Sequence, residues 1–166
     1  MLLIPATASP TMNYPRIPGT LPLSHTILPL IATDSPLPQL LTTPKLPVRG
    51  SKSIFAFWHS GINTLPPYLL RNVVAWHRRL SPLGWTIYVV DTVPGSYLNV
   101  GNFIDTQSLS VVPSAFINGT LSGDYVAQHT SDLIRYPLLL KYGGAYLDVG
   151  ILQFGDLDWL WTEHLR

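Results

Sequence analysis

The chain has 166 residues, of which 46% are hydrophobic and only 11% charged, and its formal net charge is +1. This length suits one domain of roughly 100–150 residues. The near-neutral charge argues against a nucleic-acid binder, and no apolar run reaches the roughly 20 residues of a membrane span. Zero cysteines exclude disulfide frameworks and zinc–thiolate sites.

The first 50 residues differ in kind from the rest, because they hold ten of the sixteen prolines and only four charged residues. Proline removes a backbone donor and fixes φ, which disfavours helices and central strands. We therefore predict an extended or disordered arm over residues 1–50 and a folded domain over residues 51–166. The apolar start, Met1 to Ile4, is interrupted by Pro5 and lacks a basic region, so no signal peptide is predicted and a cytoplasmic location is expected.

From residue 51 onward, apolar strands alternate with helical segments. Ser53 to Trp58 predicts a strand, Pro66-Pro67 opens a helix that ends near Leu80, and Trp85 to Val90 predicts a second strand. Short links between them indicate a parallel pair with a right-handed crossover. The sequence thus predicts an α/β fold with a mainly parallel sheet and a ligand site beyond the carboxyl ends of its strands. Arg78-Arg79 close the helix, where they complement its dipole and face solvent, with phosphate contact as the alternative.

The segment SDLIRYPLLLKYGGAYLDVG points most directly to chemistry. Its Asp132 and Arg135 are three residues apart and so share one face of a helix. Gly143-Gly144 ends that helix, since glycine accepts the backbone conformation of a C-terminal cap. Ala145 to Leu147 is a short apolar run that predicts a buried strand, and Asp148 closes it. An acid, a guanidinium and a second acid are expected at one edge of a cleft, which suits a phosphorylated, hydroxyl-rich ligand.

Pro137 lies inside this predicted helix and admits two interpretations. If the helix begins near Ala127, Pro137 kinks it and frees the carbonyl of Leu133. If the helix begins near Leu133, Pro137 falls close to the first turn, where proline is tolerated. We favour the kink, which would place a free carbonyl close to the acid and the guanidinium.

The segment resembles the capsular polysaccharide synthesis family of sugar transferases, in its fungal branch, and more distantly mannosyltransferases and toxin glucosyltransferases with a DxD motif. The family signature is a Ser-Asp-hydrophobic-hydrophobic-Arg helix, a Tyr-Gly-Gly, and a strand that ends in Asp-x-Asp. The matching positions are Ser131-Asp132-Leu133-Ile134-Arg135, Tyr142-Gly143-Gly144 and Tyr146-Leu147-Asp148-Val149-Gly150. The resemblance covers roughly residues 53–161.

This resemblance implies the nucleotide-sugar-binding, N-terminal half of a GT-A-like nucleotide-diphospho-sugar transferase. It implies that Asp132, Arg135 and Asp148 bind the donor sugar or its diphosphate, and that Trp58 and Tyr146 contact the nucleotide. Each residue also has an ordinary structural interpretation: a helix cap, an ion pair, a solvated strand end, or core packing for the two aromatic residues. No catalytic residue is implied.

One departure from the family pattern bears on metal binding. Gly150 stands where the family has the second Asp of the DxD motif, which ligates a divalent cation. Three interpretations stay open: Mn²⁺ or Mg²⁺ held by Asp148 with phosphates and water, a metal-free mechanism that uses positive side chains, or an inactive relative. Asp156 and Asp158 are alternative ligands, although capping of the next helix is the favoured interpretation.

The expected function is transfer of a sugar from a nucleotide-sugar donor, UDP-linked, to an acceptor hydroxyl in polysaccharide or glycan synthesis. The alternative is a non-catalytic nucleotide-sugar-binding or truncated, inactive fragment, because the acceptor half of the family follows the DxD strand. His59 and His129 are lone histidines, which are more often structural or exposed than catalytic.

Overall fold

Two apolar segments form the centre of a parallel sheet in the computed structural model, which describes residues 39–42, 46–48, 50, 52–153 and 157–158. β1 (Ser53–Phe57) is buried throughout, and β2 (Thr86–Val90) is buried at all but its first residue. They pair in parallel, from Ser53 opposite Thr86 to Phe57 opposite Val90. Strands covered on both faces are apolar along nearly their whole length, as these are after Ser53 and Thr86. The predicted parallel pair is confirmed.

A third strand extends the sheet on the other side of β1. β3 (Ala145–Tyr146) pairs in parallel with Ile54 and Phe55, so the strand order is β2-β1-β3. The ladder continues for one bond, because the Leu147 amide donates to the Phe55 carbonyl at 2.9 Å. The predicted α/β class with a mainly parallel sheet is confirmed, and the carboxyl ends of all three strands meet at one edge.

The helix between β1 and β2 is α2, Pro67–Leu80. Its start at the proline pair and its end at Leu80 agree with the prediction. Val73, Trp76 and Leu80 are fully buried at a spacing of three and four residues, which is the stripe that a helix presents to a sheet. Hydrophobic burial of this stripe holds α2 on the sheet.

A short helix, α3 (Ser114–Ile117), precedes the signature helix. The signature helix is α4, Val126–Tyr142, and Pro137 lies inside it. The early start near Ala127 is therefore the correct interpretation, and the Leu133 carbonyl has no amide partner four residues on, because proline has no N–H. Ile134 and Leu138 are fully buried. In the described part of the chain, no helix is both long and apolar enough to cross a membrane.

An aromatic cluster joins the end of α4 to the sheet. The ring of Phe55 lies 5.5 Å from Tyr88, 6.4 Å from Phe103 and 5.8 Å from Tyr142, between centroids. The Tyr142 hydroxyl donates to the Phe103 carbonyl at 2.6 Å. The cluster fixes the helix against β1 and β2, and with it the position of the polar residues nearer its start.

The predicted extended arm is described only from residue 39 onward; residues 1–38 lie outside the described residues. Within the arm, Gln39–Thr42 forms a short helix, α1, in contrast to the expected extended backbone. It fills the proline-free interval between Pro38 and Pro44, where helical backbone is allowed. Leu41 is 1% exposed, so this part of the arm contributes to the core.

The segment after β3 runs alongside α2. Asn72 Nδ2 donates to the Val149 carbonyl at 2.9 Å, Trp76 Nε1 donates to the Ile151 carbonyl at 3.1 Å, and Arg79 Nη1 donates to the Gln153 carbonyl. We call Val149 to Gln153 the strap. Arg79 therefore binds the backbone of the strap at Gln153. The prediction that it only complements the helix dipole and faces solvent is incomplete.

Asp158 is bound at the amino edge of the sheet, opposite the strand ends that carry the signature. Both of its carboxylate oxygens lie 2.9 Å from Lys52 Nζ, and Trp85 Nε1 donates to it at 2.8 Å. Lys52 precedes β1 and Trp85 precedes β2, so Asp158 does not replace the missing second carboxylate. Asp156, the other candidate, lies outside the described residues.

We predict that Asp158→Asn lowers the melting temperature at neutral pH. Hydrogen bonds from Lys52, and then from Trp85, hold the pKa of Asp158 below its ordinary value of 3.8. A carboxyl with a lowered pKa stabilises the fold above its unfolded pKa, and this contribution is lost as pH falls through the folded value. In thermal denaturation the difference between wild type and variant should therefore be smaller at acidic pH, below the ordinary pKa of 3.8, than at neutral pH. An equal difference at both pH values would contradict the assignment.

Candidate functional site

A cleft of about 440 Å³ opens at the carboxyl edge of the sheet. Its walls come from the loop after β1, the first half of α4 and the end of β3. The polar and aromatic residues that line it are Phe57, Trp58, His59, Gln128, Ser131, Asp132, Arg135 and Asp148. The expected position of a ligand site, beyond the carboxyl ends of parallel strands, agrees with this cleft.

One guanidinium joins the three residues that were predicted to bind the donor sugar or its diphosphate. Arg135 Nη2 lies 3.1 Å from Asp132 Oδ1 and 3.5 Å from Asp148 Oδ1. The first contact follows from their spacing on α4, and the second from the end of β3, which the sheet brings beside the helix. The aspartate side chains are 61% and 65% exposed, so both present carboxylate oxygens to the cleft. With all three ionised, the group carries one net negative charge.

Tyr146 supports the guanidinium from behind. Arg135 Cζ lies 4.7 Å from the centre of the Tyr146 ring, and the Tyr146 hydroxyl is 2.7 Å from Ser131 Oγ. Burial raises the pKa of Tyr146, so its hydroxyl stays protonated at neutral pH. Tyr146 is not among the residues that line the cleft. Its direct contact with a nucleotide stays a prediction, and its contacts indicate support for Arg135.

Trp58, the other predicted nucleotide contact, lines the cleft in a fixed orientation. Its amide donates to the Val90 carbonyl at 3.0 Å, which continues the β1–β2 pairing by one residue. Its indole Nε1 donates to Thr64 Oγ1 at 3.0 Å, and that hydroxyl donates to the Gly61 carbonyl at 2.9 Å. With its polar edge occupied, the indole offers an apolar ring face.

The two histidines are placed differently. His59 is exposed and lines the cleft beside Trp58, and its carbonyl accepts hydrogen bonds from the Thr92 amide and hydroxyl at 3.2 and 3.0 Å. His129 is exposed on α4 outside the cleft lining. Of these two histidines, His59 is the one that lines the cleft.

Gly150 lies in a tight turn directly after Asp148. The Ile151 amide donates to the Asp148 carbonyl at 2.8 Å and closes the turn. Gly150 does not adopt a positive φ, and a Cβ atom added to it would meet nothing within 4 Å. The backbone therefore does not require glycine, and an aspartate would fit at this position.

The donor set fits a divalent cation only together with substrate oxygens. Among the described residues, no three His, Cys, Asp or Glu side chains converge as a metal site. Asp148 offers one exposed carboxylate, and Gly150 offers no side-chain ligand. Mg²⁺ commonly takes one or two protein carboxylates, with water and phosphate completing its shell. The exposed Asp148 carboxylate is therefore compatible with a cation site that substrate phosphates complete.

Several contributors to the site were not predicted from sequence. Ser131 belongs to the motif, but its bond to Tyr146 depends on the packing of α4 beside β3. Asn72 and Trp76 hold the strap after Asp148, although they lie more than seventy residues earlier in the chain. The sequence shows side chains with hydrogen-bond donors on the helix before β2. Their positions alone do not indicate which backbone carbonyls they bind.

A protein-family model described as capsular polysaccharide synthesis protein matches residues 37–163. The chain belongs to this family. The match includes α1, the short helix inside the proline-rich arm, and so begins earlier than the resemblance seen in the motif. The cleft residues Trp58, Asp132, Arg135 and Asp148 all lie within it.

Several curated fungal proteins that are named as glycosyltransferases are similar to this chain. O-glycosyltransferase braB of Annulohypoxylon truncatum is 42% identical over 126 residues, which cover 76% of this chain and 29% of that protein. Glycosyltransferase afumC of Aspergillus fumigatus is 48% identical over 108 residues, 65% of this chain and 27% of its own length. O-glycosyltransferase PaGT of Phomopsis amygdali is 41% identical over 115 residues, which cover 69% of this chain and 27% of that protein. The chain spans little more than a quarter of these relatives, and no solved structure matches it.

We predict that Tyr146→Phe lowers the free energy of unfolding by about 1 kcal/mol, because the hydrogen bond to Ser131 is lost. Tyr146→Leu should cost roughly 1 kcal/mol more, since Arg135 then loses its aromatic contact. Urea denaturation measures both. Ser131→Ala is the matched control, and its effect should not add to that of Tyr146→Phe. Full additivity would show that the two hydroxyls do not interact.

Proposed function

We propose that this chain provides the donor-binding part of a glycosyltransferase. The donor is a nucleotide sugar, UDP-linked, and the acceptor is a hydroxyl group, in polysaccharide or glycan synthesis. Membership of the capsular polysaccharide synthesis family and the glycosyltransferase names of its relatives support the activity. Two of those names specify O-glycosyl transfer, which supports an oxygen acceptor.

The observation that carries the proposal is the Asp132–Arg135–Asp148 group in the cleft. Two exposed carboxylates can accept hydrogen bonds from several sugar hydroxyls, and the guanidinium between them fixes their separation. The guanidinium also provides N–H donors in a planar fork, which suits a phosphate or hydroxyl oxygen. Orientation of the sugar in this way lowers the entropic cost of reaction at its anomeric carbon.

The charge of the group determines how a diphosphate would bind. One arginine and two aspartates give a net negative charge, which by itself repels the diphosphate. A divalent cation held by Asp148 and the phosphates would neutralise the leaving group and stabilise the charge that develops on it. Arg135 and Asp132 would meanwhile keep the sugar in place. Mn²⁺ or Mg²⁺ is thus the proposed cofactor.

Trp58 is proposed to stack on the base of the nucleotide. Its Nε1 donates to Thr64, which holds the ring in place, and the part of the ring that lines the cleft would contact a flat ligand. Exposed His59 beside it adds a second ring at 5.8 Å.

A second candidate function is nucleotide-sugar binding without turnover. Gly150 favours it, because the turn after Asp148 would accept an aspartate but carries no side-chain ligand. A binding protein of this kind would take up the donor without requiring a cation.

Titration calorimetry of this chain with UDP-glucose and UDP-galactose, with and without Mn²⁺, separates the two functions. We expect binding that Mn²⁺ strengthens by about tenfold or more, because the cation offsets the repulsion between Asp148 and the diphosphate. Asp148→Asn, a near-isosteric control, should weaken Mn²⁺-dependent binding by about tenfold with little change in melting temperature. Binding that is equal with and without Mn²⁺ would support the non-catalytic alternative. If folded protein binds neither sugar nucleotide, the UDP-linked donor is refuted, and failure with GDP-sugars as well would refute both functions.

We further predict that Gly150→Asp strengthens Mn²⁺-dependent binding of UDP-glucose by about tenfold, because a second carboxylate adds a metal ligand at an unstrained position. Gly150→Asn is the matched control, since it has the same shape without the charge and should give a smaller gain. The comparison is made by titration with Mn²⁺ at fixed UDP-glucose. Equal affinities in the two variants would show that position 150 does not face the cation.

A further inference from the structure

The strap is bound to α2 by side chains rather than by another strand. Asn72, Trp76 and Arg79 lie on one face of α2, at spacings of four and three residues. Their partners are the carbonyls of Val149, Ile151 and Gln153, which are alternate residues of the chain.

The donors share one side of α2 because residues three and four apart lie on the same helix face. The strap is not extended throughout, since Val149 and Gly150 are the central residues of the turn that the Ile151 amide closes. The turn and the residues after it present three carbonyls to that side of α2.

The strap begins at Val149, two residues after the last hydrogen bond between β3 and β1. β3 pairs with β1 at only two positions, and the last ladder bond is the Leu147 amide on the Phe55 carbonyl. For Asp148, the backbone contacts that follow are the turn closed by the Ile151 amide and the strap bonds to Val149 and Ile151. Asn72 holds the residue directly after Asp148, and Trp76 holds the far side of the turn.

We propose that Asn72 and Trp76 are positioning residues that set the place of the Asp148 carboxylate in the cleft. They do not touch the ligand; they fix the backbone on either side of Gly150, so that Asp148 stays within reach of Arg135. This inference rests on the proposed function for its effect on ligand binding. Its effect on the turn is independent of any ligand.

If these bonds position Asp148, their effect on ligand affinity should decrease with distance from Asp148. Three variants that each remove one donor test this expectation: Asn72→Leu, Trp76→Phe and Arg79→Met. Affinity for UDP-glucose with Mn²⁺ should fall about fivefold, about threefold and less than about twofold, in that order, because the bonds lie progressively farther from Asp148. Stability should follow a different order, with Trp76→Phe the most destabilising, since Trp76 is fully buried. If affinity instead follows stability, the donors are merely structural and the proposal is overturned.

A double-mutant cycle with Asp148→Asn shows whether Asn72 acts through Asp148. In that background, Asn72→Leu should change affinity less than about twofold, because the carboxylate that it positions has been removed. Lys52→Met, which disrupts the contact with Asp158 at the opposite edge, is the control and should leave affinity unchanged. Unchanged affinity in Asp148→Asn alone overturns both the site and its positioning. A weakened Asp148→Asn with normal Asn72→Leu overturns the positioning alone.

Amide hydrogen exchange tests the turn without a ligand. The Ile151 amide should exchange about fivefold faster in Asn72→Leu, and at the wild-type rate in Arg79→Met. This result stands whether or not the chain binds UDP-glucose, so it separates failure of the positioning from failure of the proposed function. Equal exchange in wild type and Asn72→Leu overturns the proposal.

Discussion

Parallel pairing of β1 with β2 and β3 places the carboxyl ends of all three strands at one edge of the sheet. Every part of the cleft depends on this pairing. Trp58 follows β1, Asp148 follows β3, and α4 carries Arg135 to the same edge because it precedes β3 in the chain. Without the β1–β3 pairing, the two aspartates would lie on separate segments with no shared guanidinium.

The electrostatics of the cleft follow from that shared guanidinium. A single arginine cannot neutralise two carboxylates, and this imbalance suits hydroxyl groups better than a bare phosphate. Tyr146 is neutral and does not change this balance, but its ring faces the guanidinium and keeps it directed at the aspartates. Arg135 Nε is buried and has no hydrogen-bond partner in the described part of the chain, so the planar group relies on its Nη atoms and on the ring for its orientation.

Local patterns in the sequence were enough to predict the strands, α2, α4 and the group formed by Asp132, Arg135 and Asp148. Helix spacing determines the first pair, and the glycine stop followed by a short apolar run determines where the third residue emerges. Local patterns did not predict the strap, because the hydrogen bond from Asn72 to the Val149 carbonyl depends on how distant segments pack. The same holds for α1, where the high proline content of the arm concealed four residues compatible with a helix. Membership of the family was recognisable from the motif. The contact between Arg135 and the Tyr146 ring was not, because it depends on how α4 packs beside β3.

The two contacts of Arg135 Nη2 are unequal, at 3.1 Å to Asp132 and 3.5 Å to Asp148. Coulomb attraction weakens with separation, so an incoming oxygen that competes for this nitrogen displaces the longer contact first. The Asp132–Arg135 contact within α4 is thus the more persistent of the two, and the contact that joins α4 to the end of β3 is the first to yield to a competitor.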